Sequence, residues 1–381
     1  MIGDYIVTTN KTFSVLYRID APSEAEAATI ARQIAVEQTI EFPPELVERQ
    51  GILDTMVGSV QKDESPDGAY RYWITYSECT AGRDITQLFN VIFGNSSMQP
   101  GIWVENIRFS PEFLSAYKGP RFGIGGLRRL VGVLSRPLLH CVIKPLGSTT
   151  EELAHMAYCF AKGGADLIKD DHGITDQASA PFAQRVKACA QAVAKANKET
   201  GRHALYVANC TADGSASHER ARLAKELGAG GVLLAPALTG FGMVREIADD
   251  SQIGLPVITH PTMAGVFFMP GLSGIAMTVL YGIFSRLAGA DAVVFPSWGG
   301  RFTFTADDCR QIVAYAKAKL GDFLPMFPSP GGGITAETLP NLTHIYGRDV
   351  MYLVGGGIFR HGPDLIENTA YYKQLIEELY P

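Results

Sequence analysis

The rest of the chain is arranged around residues 163–172, Gly-Gly-Ala-Asp-Leu-Ile-Lys-Asp-Asp-His, which mark a place for chemistry. Gly163 and Gly164 are typical of a helix end, and a short apolar strand follows them. The strand ends in Lys169, two aspartates and His172, so four groups able to bind metal or transfer protons stand at one strand end. A solvated charge run is the alternative interpretation. The rest of the chain favours a site, because it supplies a barrel to carry this strand.

The composition indicates a globular protein with a large core. The chain has 381 residues, of which 46% are hydrophobic and 19% charged. A net charge of -6, with no cluster of lysine and arginine, argues against nucleic acid and anionic membranes as partners. No secretory signal is expected, and the apolar stretch 271–290 contains Ser285 and Arg286, which favours a buried helix over a membrane span. Six cysteines without CxxC spacing are expected to be reduced core residues of a cytoplasmic protein.

From residue 121 onwards, apolar strands alternate with helices. Strands that are apolar throughout are typical of parallel strands buried on both faces. Eight are expected, at 138–144, 165–169, 204–209, 231–235, 256–260, 291–295, 324–327 and 351–354. This pattern predicts an α/β fold, a (β/α)8 TIM barrel over residues 121–381 that includes a C-terminal helix. A doubly wound sheet is disfavoured, because no GxGxxG motif follows the first strand.

The first 120 residues lack this regular alternation and predict a small α+β domain. Strands are expected at 5–19, 70–78 and 101–110. Ser23 and Glu26 form a capping box that opens a helix running towards residue 39, and a second helix is expected at 85–93. The glycine-rich stretch 119–126 is expected to be a linker. The predicted domains are therefore 1–120 and 121–381.

Several polar side chains stand at the carboxyl ends of the predicted barrel strands, where TIM-barrel active sites lie. They are Lys144, Lys169 to His172, Asn209, His260 and Arg301. Local sequence leaves open whether Lys144 faces a substrate or solvent, and whether His260 is functional or structural. The triplets Gly331-Gly332-Gly333 and Gly355-Gly356-Gly357 follow strands seven and eight, where backbone N–H groups commonly cradle phosphate. A tight turn is the alternative for each triplet.

Two segments in this order resemble the large subunit of RuBisCO. They are Pro-Leu-Leu-His-Cys-Val-Ile-Lys-Pro at 137–145 and Gly-Gly-Ala-Asp-Leu-Ile-Lys-Asp-Asp at 163–171. The resemblance covers nearly the whole chain, and its further points are Glu37, Gly94-Asn95, Gly119-Pro120-Arg121, His260, 331–334 and 355–357. The Lys-Asp-Asp element in this context is highly specific.

This resemblance implies roles for particular residues. Lys169 would take up CO2 as a carbamate and bind a divalent metal together with Asp171, and Lys144 would handle the proton of an enolic oxygen. His172 stands where the family has a glutamate ligand, which loosens the preference for Mg2+ towards Mn2+ or another ion. Asn95 and Glu37 would reach the site of a neighbouring subunit, which implies a homodimer with shared sites.

The departures from RuBisCO indicate a different substrate. A second lysine after Lys144 is missing, Pro261 replaces an arginine, and Val294 replaces a histidine. Losing two partners of the second phosphate removes hydrogen bonds worth about 1.5–3 kcal/mol each, so we expect a substrate with one phosphate. In the loop after strand six, Arg301 is an approximate substitute for the lysine that covers CO2 in the carboxylase. Productive CO2 fixation is therefore not expected.

The whole pattern resembles the RuBisCO-like proteins, which form an enolate next to a carbonyl with the help of a metal. The expected function is isomerisation or decarboxylation of a monophosphorylated keto-sugar or keto-acid. The candidates are 5-methylthioribulose 1-phosphate isomerase and 3-oxo-isoapionate 4-phosphate decarboxylase or transcarboxylase. One alternative is 2,3-diketo-5-methylthiopentyl 1-phosphate enolase, against which Asn95 counts, since that branch has a lysine there. The other alternative is a non-catalytic binding or regulatory protein with the same fold.

Overall fold

The architecture is that of a computed structural model, which describes residues 11–64, 67–269 and 271–381. Two compact units divide the chain. The first ends at Tyr117 and also includes Gly265–Ile283, and the second comprises Lys118–Ala264 and Phe284–Pro381. The domain division at residue 120 stays a prediction, and nothing in the sequence indicates that Gly265–Ile283 belongs with the first unit.

The elements of the described residues follow in chain order. The strands are β1 Thr12–Ile19, β2 Ser59–Lys62, β3 Tyr70–Ser77, β4 Ile102–Phe109, β5 Leu138–Ile143, β6 Leu167–Asp170, β7 Leu205–Asn209, β8 Gly231–Leu234, β9 Val257–Thr259, β10 Gly274–Ile275, β11 Ala292–Pro296, β12 Phe327–Gly331 and β13 Met351–Val354. The helices are α1 Glu24–Glu37, α2 Gln50–Met56, α3 Ile85–Phe93, α4 Pro111–Leu114, α5 Gly123–Val131, α6 Thr150–Gly163, α7 Phe182–Thr200, α8 Ala216–Glu226, α9 Pro236–Thr239, α10 Phe241–Asp249, α11 Ser285–Leu287, α12 Ala306–Lys317, α13 Leu339–Tyr346, α14 Gly356–His361 and α15 Leu365–Leu379. No helix in these ranges is long and apolar enough to cross a membrane.

A five-stranded sheet forms the centre of the first unit, in the order β10-β4-β1-β3-β2. Alternation buries every second residue of β1, from Phe13 to Ile19. Helix α1 begins after Ser23, whose hydroxyl accepts the N–H of Glu26, one of the two contacts of the expected capping box, and it ends at Glu37. Of the first expected strand, residues 5–10 lie outside the described residues.

The second unit is the predicted barrel. Eight parallel strands close in the order β11-β12-β13-β5-β6-β7-β8-β9. All eight strands contribute to one buried apolar cluster inside the barrel, from Leu138 of β5 to Leu353 of β13. Since side chains alternate along a strand, every second residue faces this cluster and the residues between face the surrounding helices. The predicted fold class is confirmed.

Strand β12 differs most from expectation, which placed it at 324–327. The chain instead uses Phe327–Gly331, although this strand contains Pro328 and Pro330. Residues of a parallel strand alternate between their two neighbours, so both prolines turn their missing N–H towards β13. Strand β12 pairs with β13 at one position, where Gly331 stands opposite Leu353. The Ser329 hydroxyl donates instead to the carbonyl of Met351 at 3.0 Å, which helps to join the two strands.

The expected linker at 119–126 is partly helical, which corrects that prediction. Helix α5 begins at Gly123, and its Ile124, Leu127 and Val131 belong to the barrel cluster. A distant carboxylate caps its start: Asp291 accepts the N–H groups of Phe122 and Gly123 at 2.6 and 2.8 Å. The run of glycines favours a loop locally, and burial of the apolar face overrides that preference.

The stretch 271–290 does not form the single buried helix that was expected. It contains strand β10, a π-helix at Thr278–Phe284 and the short helix α11. Strand β10 pairs with β4, and Gly274 stands opposite Trp103. A Cβ on Gly274 would lie 2.7 Å from the indole ring, so this pairing needs a glycine. Five of the six cysteines are buried, and Cys79 is half-buried.

Candidate active site

The charged end of β6 divides between the two faces of the barrel wall. Leu167 belongs to the interior cluster, so alternation turns Lys169 and Asp171 inwards and Asp170 outwards. The Asp170 carboxylate accordingly meets Arg185 of helix α7, at 3.3 Å from its Nε. The three charges that look alike in sequence therefore have different surroundings.

Lys169 is a buried amine, with 1% of its surface exposed. Its Nζ donates to the carbonyl of Asp170 at 2.9 Å. Burial lowers the pKa of Lys169 to about 8, helped by the charge of Lys144 and opposed by Asp171 and Asp170. A sizeable share of the lysine is thus the neutral amine near physiological pH, and the neutral amine is the nucleophilic form.

Asp171 lies between several cationic or donor groups. Its Oδ1 is 3.4 Å from Lys144 Nζ and 3.5 Å from His172 Nδ1. Burial alone would raise the pKa of this carboxyl, but the His172 hydrogen bond and the charges of Lys169 and Lys144 hold it well below its usual range. Asp171 is therefore an ionised carboxylate facing the barrel interior.

His172 and His260 form a stacked pair. Their ring centres are 4.5 Å apart at an interplanar angle of 16°. His260 Nδ1 accepts the backbone N–H of Thr262 at 3.2 Å, so a neutral His260 carries its proton on Nε2. Burial, with the nearby Lys169 and His172, lowers the pKa of His260 well below its usual value. His260 thus offers a neutral N–H donor.

Lys144 links this cluster to the second glycine triplet. It follows β5, and a Cβ built on Gly355 would lie 4.0 Å from its Nζ. The same amine is 3.4 Å from Asp171. Gly356 next to it is exposed and has open space above its backbone. The Lys144 amine therefore stands between the acidic loop and a glycine-lined surface.

The first triplet packs against the loop after β11. Gly331 belongs to β12, while Gly332 and Gly333 follow with φ of +86° and +117°, which favour glycine. A Cβ on Gly333 would come within 2.6 Å of Gly300, so the two loops need glycine at this contact. The Arg301 N–H donates to Gly332 O at 3.4 Å. The Arg301 guanidinium lies 5.0 Å from the Phe302 ring centre and has no ion-pair partner within the described ranges.

Glu37 and Asn95 meet in the first unit. Asn95 Nδ2 donates to Glu37 Oε1 at 3.0 Å and to Glu41 Oε1 at 3.1 Å. Local sequence selects neither residue, because they lie 58 positions apart. The structure thus brings together the two residues that the family resemblance singles out in this unit.

Sequence reasoning missed the groups that hold Asp170. Tyr206 donates its hydroxyl to Asp170 Oδ1 at 2.6 Å, and the backbone N–H of Asn209 donates to Oδ2 at 2.9 Å. Arg185 completes the set. No motif joins these positions; the only usable signal is alternation, which places Asp170 and Tyr206 on the outer face of β6 and β7.

A metal site formed by ordinary ligands alone is absent from the described part of the chain, where no three His, Cys, Asp or Glu side chains cluster suitably. Asp171 and His172 are two side chains of these types at the end of β6, with Oδ1 and Nδ1 3.5 Å apart.

The family profile described as ribulose bisphosphate carboxylase large chain, catalytic domain, matches residues 123–366. The chain belongs to the RuBisCO large-chain family. The match spans the barrel, including the end of β6, Lys144, His260 and both glycine triplets.

Relatives within the family are RuBisCO-like proteins. Ribulose bisphosphate carboxylase-like protein 1 of Rhodopseudomonas palustris is 38% identical, over 94% of this chain and 95% of that protein. The 5-methylthioribulose-1-phosphate isomerase of Rhodospirillum rubrum is 35% identical, over 93% of this chain and 94% of that protein. The 2,3-diketo-5-methylthiopentyl-1-phosphate enolase of Bacillus velezensis is 32% identical, over 89% of this chain and 85% of that protein. The isomerase and the enolase are enzymes that are not carboxylases.

A solved structure supports the same placement. The crystal structure of a RuBisCO-like protein from Rhodopseudomonas palustris has a TM-score of 0.86 with this chain at 34% identity, covering 97% of this chain and 99% of the other. The expected membership of the RuBisCO-like group is confirmed.

Proposed function

We propose that this RuBisCO-family chain is a metal-dependent isomerase of a monophosphorylated keto-sugar, with 5-methylthioribulose 1-phosphate as its substrate. The position of Lys144 carries the proposal. Its Nζ is 3.4 Å from the Asp171 carboxylate and stands beside Gly355 of the second glycine triplet. An amine between an acidic centre and a phosphate-type loop suits proton transfer on a substrate held by one phosphate.

The residues at the end of β6 fit a divalent metal. Lys169 has the lowered pKa that reaction with CO2 needs, and the carbamate so formed would stand beside ionised Asp171 and His172. Mg2+ is the expected ion, and the imidazole of His172 makes Mn2+ or another ion acceptable. The bound metal would polarise the carbonyl of the substrate and so acidify the neighbouring C–H.

The phosphate would lie on the glycine loops. We propose Gly332 and Gly333 of the first triplet, with Gly331 at the strand end below them, and Gly355 and Gly356 of the second. Exposed glycine backbone at Gly333 and Gly356 allows an oxyanion to approach the N–H groups closely. Arg301 is the proposed cationic partner, because its backbone contacts Gly332 and its guanidinium has no ion-pair partner among the described residues.

One phosphate is favoured over two. Pro261 has no N–H, and Val294 belongs to the buried apolar cluster, so neither side chain offers a donor to a second phosphate. Because these two positions offer no donor to a second phosphate, ribulose 1,5-bisphosphate is disfavoured as a substrate. The distal methylthio group of the proposed substrate is uncharged and needs no such donor.

Two groups of this chain would move or hold the proton. Lys144 would remove a proton from carbon next to the substrate carbonyl and return it to the neighbouring carbon. His260 would donate its Nε2–H to a substrate oxygen, since Nδ1 already accepts the N–H of Thr262. As the carbonyl moves to the neighbouring carbon, the hydroxyl proton of that carbon passes to the former carbonyl oxygen. The atoms then balance, and isomerisation needs no oxidant, reductant or second substrate.

The enolase activity is the second candidate. A named enolase at 32% identity favours it, and proton removal next to a carbonyl is common to both reactions. Asn95, bonded to Glu37 and Glu41, is an amide and cannot act as the base that the resemblance expects in the enolase branch.

The test is a substrate panel followed by 1H and 31P NMR, with the full chain, Mg2+ and bicarbonate. The panel contains 5-methylthioribulose 1-phosphate, 2,3-diketo-5-methylthiopentyl 1-phosphate, 3-oxo-isoapionate 4-phosphate and ribulose 1,5-bisphosphate. We expect the first to give an isomeric product, which carries deuterium at one carbon when the reaction is run in D2O. Turnover of the second or third alone would replace the isomerase by an enolase or decarboxylase, and no turnover would indicate a binding protein.

We also propose a cytoplasmic homodimer in which Glu37 and Asn95 complete the site of the partner subunit. Asn95→Ala and Lys169→Ala proteins should each be inactive for different reasons. Random exchange of subunits in an equal mixture should restore about one quarter of wild-type activity, because half of the dimers then contain one intact site of two. An inactive mixture, with exchange verified by native mass spectrometry, would show that each site lies within one chain.

A further inference from the structure

Asn209 contacts the loop that follows β6 at several points. It is the last residue of β7 and is fully buried. Its Nδ2 donates to the carbonyl oxygens of His172 and Ile174, both at 3.0 Å, and its Oδ1 accepts the N–H of Thr211 at 3.1 Å. The partners of Nδ2 are carbonyl oxygens and the partner of Oδ1 is an N–H, so the amide has one satisfactory orientation.

The backbone of Asn209 fixes the other side of the same loop. Its N–H donates to Asp170 Oδ2 at 2.9 Å, and Tyr206 of the same strand donates to Asp170 Oδ1 at 2.6 Å. Arg185 neutralises this buried carboxylate from helix α7. One strand, β7, thus holds the chain before Asp171, through Asp170, and after it, through His172.

The contacts of Asp170 and Asn209 hold the loop that contains the proposed metal ligands. Asp171 and His172 lie between the two fixed points, and Lys169 donates its Nζ to the carbonyl of Asp170. Without the contacts from Asn209, the peptide units of residues 171–174 would lose two hydrogen bonds to β7, of which the one to Ile174 is buried. The carboxylate of Asp171 would then be free to leave its place 3.4 Å from Lys144.

We propose that Asn209 is the positioning residue of the metal site, acting through the backbone of residues 170–174 to hold Asp171 and His172. The inference rests on the proposed function for the presence of the metal. The brace itself, the contacts of Asn209 with Asp170, His172 and Ile174, consists only of atoms of this chain and can be tested without metal. A purely structural asparagine would affect stability and leave the affinity for metal unchanged.

Asn209→Asp is the test, because it keeps the shape of the side chain and replaces the N–H donors by an oxygen that repels two carbonyls. Asn197→Asp is the matched control. Asn197 Nδ2 donates to Ala204 O and its Oδ1 accepts Ala204 N–H, both at 2.9 Å, at the opposite end of β7. Both variants therefore lose a side-chain brace of the same strand, and only one brace contacts the proposed site.

Two measurements on the full chain separate the outcomes. Binding of Mn2+ with bicarbonate, followed by electron paramagnetic resonance, should weaken by about 10- to 100-fold in Asn209→Asp, the usual effect of losing a residue that orients ligands. Hydrogen exchange of the metal-free protein should accelerate at residues 171–175. Asn197→Asp should retain wild-type Mn2+ affinity and exchange faster only around residues 197–205.

Asn209→Ala serves if Asn209→Asp does not fold, since it removes the same side-chain contacts with His172 and Ile174 without adding a charge and should shift both measurements in the same direction. Wild-type Mn2+ affinity in the variant that folds would overturn the role of Asn209 and its brace, while leaving the proposed function intact. Failure of the wild-type chain to bind Mn2+ at all would overturn the proposed metal chemistry, and the positioning role with it.

Discussion

Lys169→Ala should lose metal binding and turnover together. The buried amine of Lys169 is the proposed carrier of the CO2-derived ligand, and Asp171 with His172 cannot replace it. Since a bound metal contributes several kcal/mol to the transition state, kcat should fall by about 10³-fold or more. Metal content and steady-state rates of the same preparation measure the effect, with circular dichroism to verify folding.

Lys144→Met is the matched control for this loss. It removes the other cation beside Asp171 and leaves the three proposed ligands in place. We expect it to retain the metal and to lose about 10²- to 10⁴-fold in kcat, the contribution typical of a general acid–base group. A metal-replete, active Lys169→Ala protein would contradict the carbamate, and a fully active Lys144→Met protein would remove the proton-transfer role of Lys144.

Arg185→Met should destabilise the barrel strongly. Arg185 and Asp170 are both fully buried, with Nε and Oδ2 3.3 Å apart. Removing the guanidinium leaves a carboxylate in the barrel wall with only neutral donors, Tyr206 and the Asn209 N–H. Breaking such a buried pair costs about 3–5 kcal/mol in the free energy of unfolding. Urea denaturation of the full chain, followed by circular dichroism, measures the loss.

Arg220→Met provides the comparison, because Arg220 contacts the same ring and the same kinds of oxygen. Both guanidinium groups lie over Phe182, at 5.5 Å for Arg185 and 5.3 Å for Arg220. Arg220 likewise donates to one carbonyl and one aspartate, but the side chain of its partner Asp176 is 48% exposed. Water can solvate that carboxylate, so the expected loss is below about 1 kcal/mol. Equal losses in the two variants would mean that Asp170 does not remain a buried charge.

The barrel could be predicted from the sequence because its strands are short, apolar runs that alternate with helices. Strand β13 was placed at its observed bounds, and most others within two residues. Strand β12 and helix α5 could not be placed correctly. The prolines of β12 are acceptable only because they face the side with a single register pair, and the start of α5 depends on Asp291, 168 positions from Gly123. Both the pairing of β12 with β13 and the cap that Asp291 provides are tertiary contacts, so neither can be predicted from local sequence.

The candidate site could be located from sequence because strand ends of a barrel converge, and because Lys169 and Asp171 occupy alternate positions of one strand. The different role of Asp170 follows from the same alternation. The identity of the residues that contact Asp170 cannot be predicted in this way. Arg185 and Tyr206 are ordinary helix and strand residues until the fold brings them to one carboxylate. The position of Lys144 Nζ beside Gly355 likewise joins positions 211 apart, which only closure of the barrel brings together.

The most direct test of the central claim, a metal held by carbamylated Lys169, is the metal content of the purified chain. The protein is dialysed against Mg2+ or Mn2+, with and without bicarbonate, and the bound ion is counted by elemental analysis. We expect about one ion per chain with bicarbonate and almost none in its absence. Metal uptake that ignores bicarbonate, or no uptake under either condition, would contradict it.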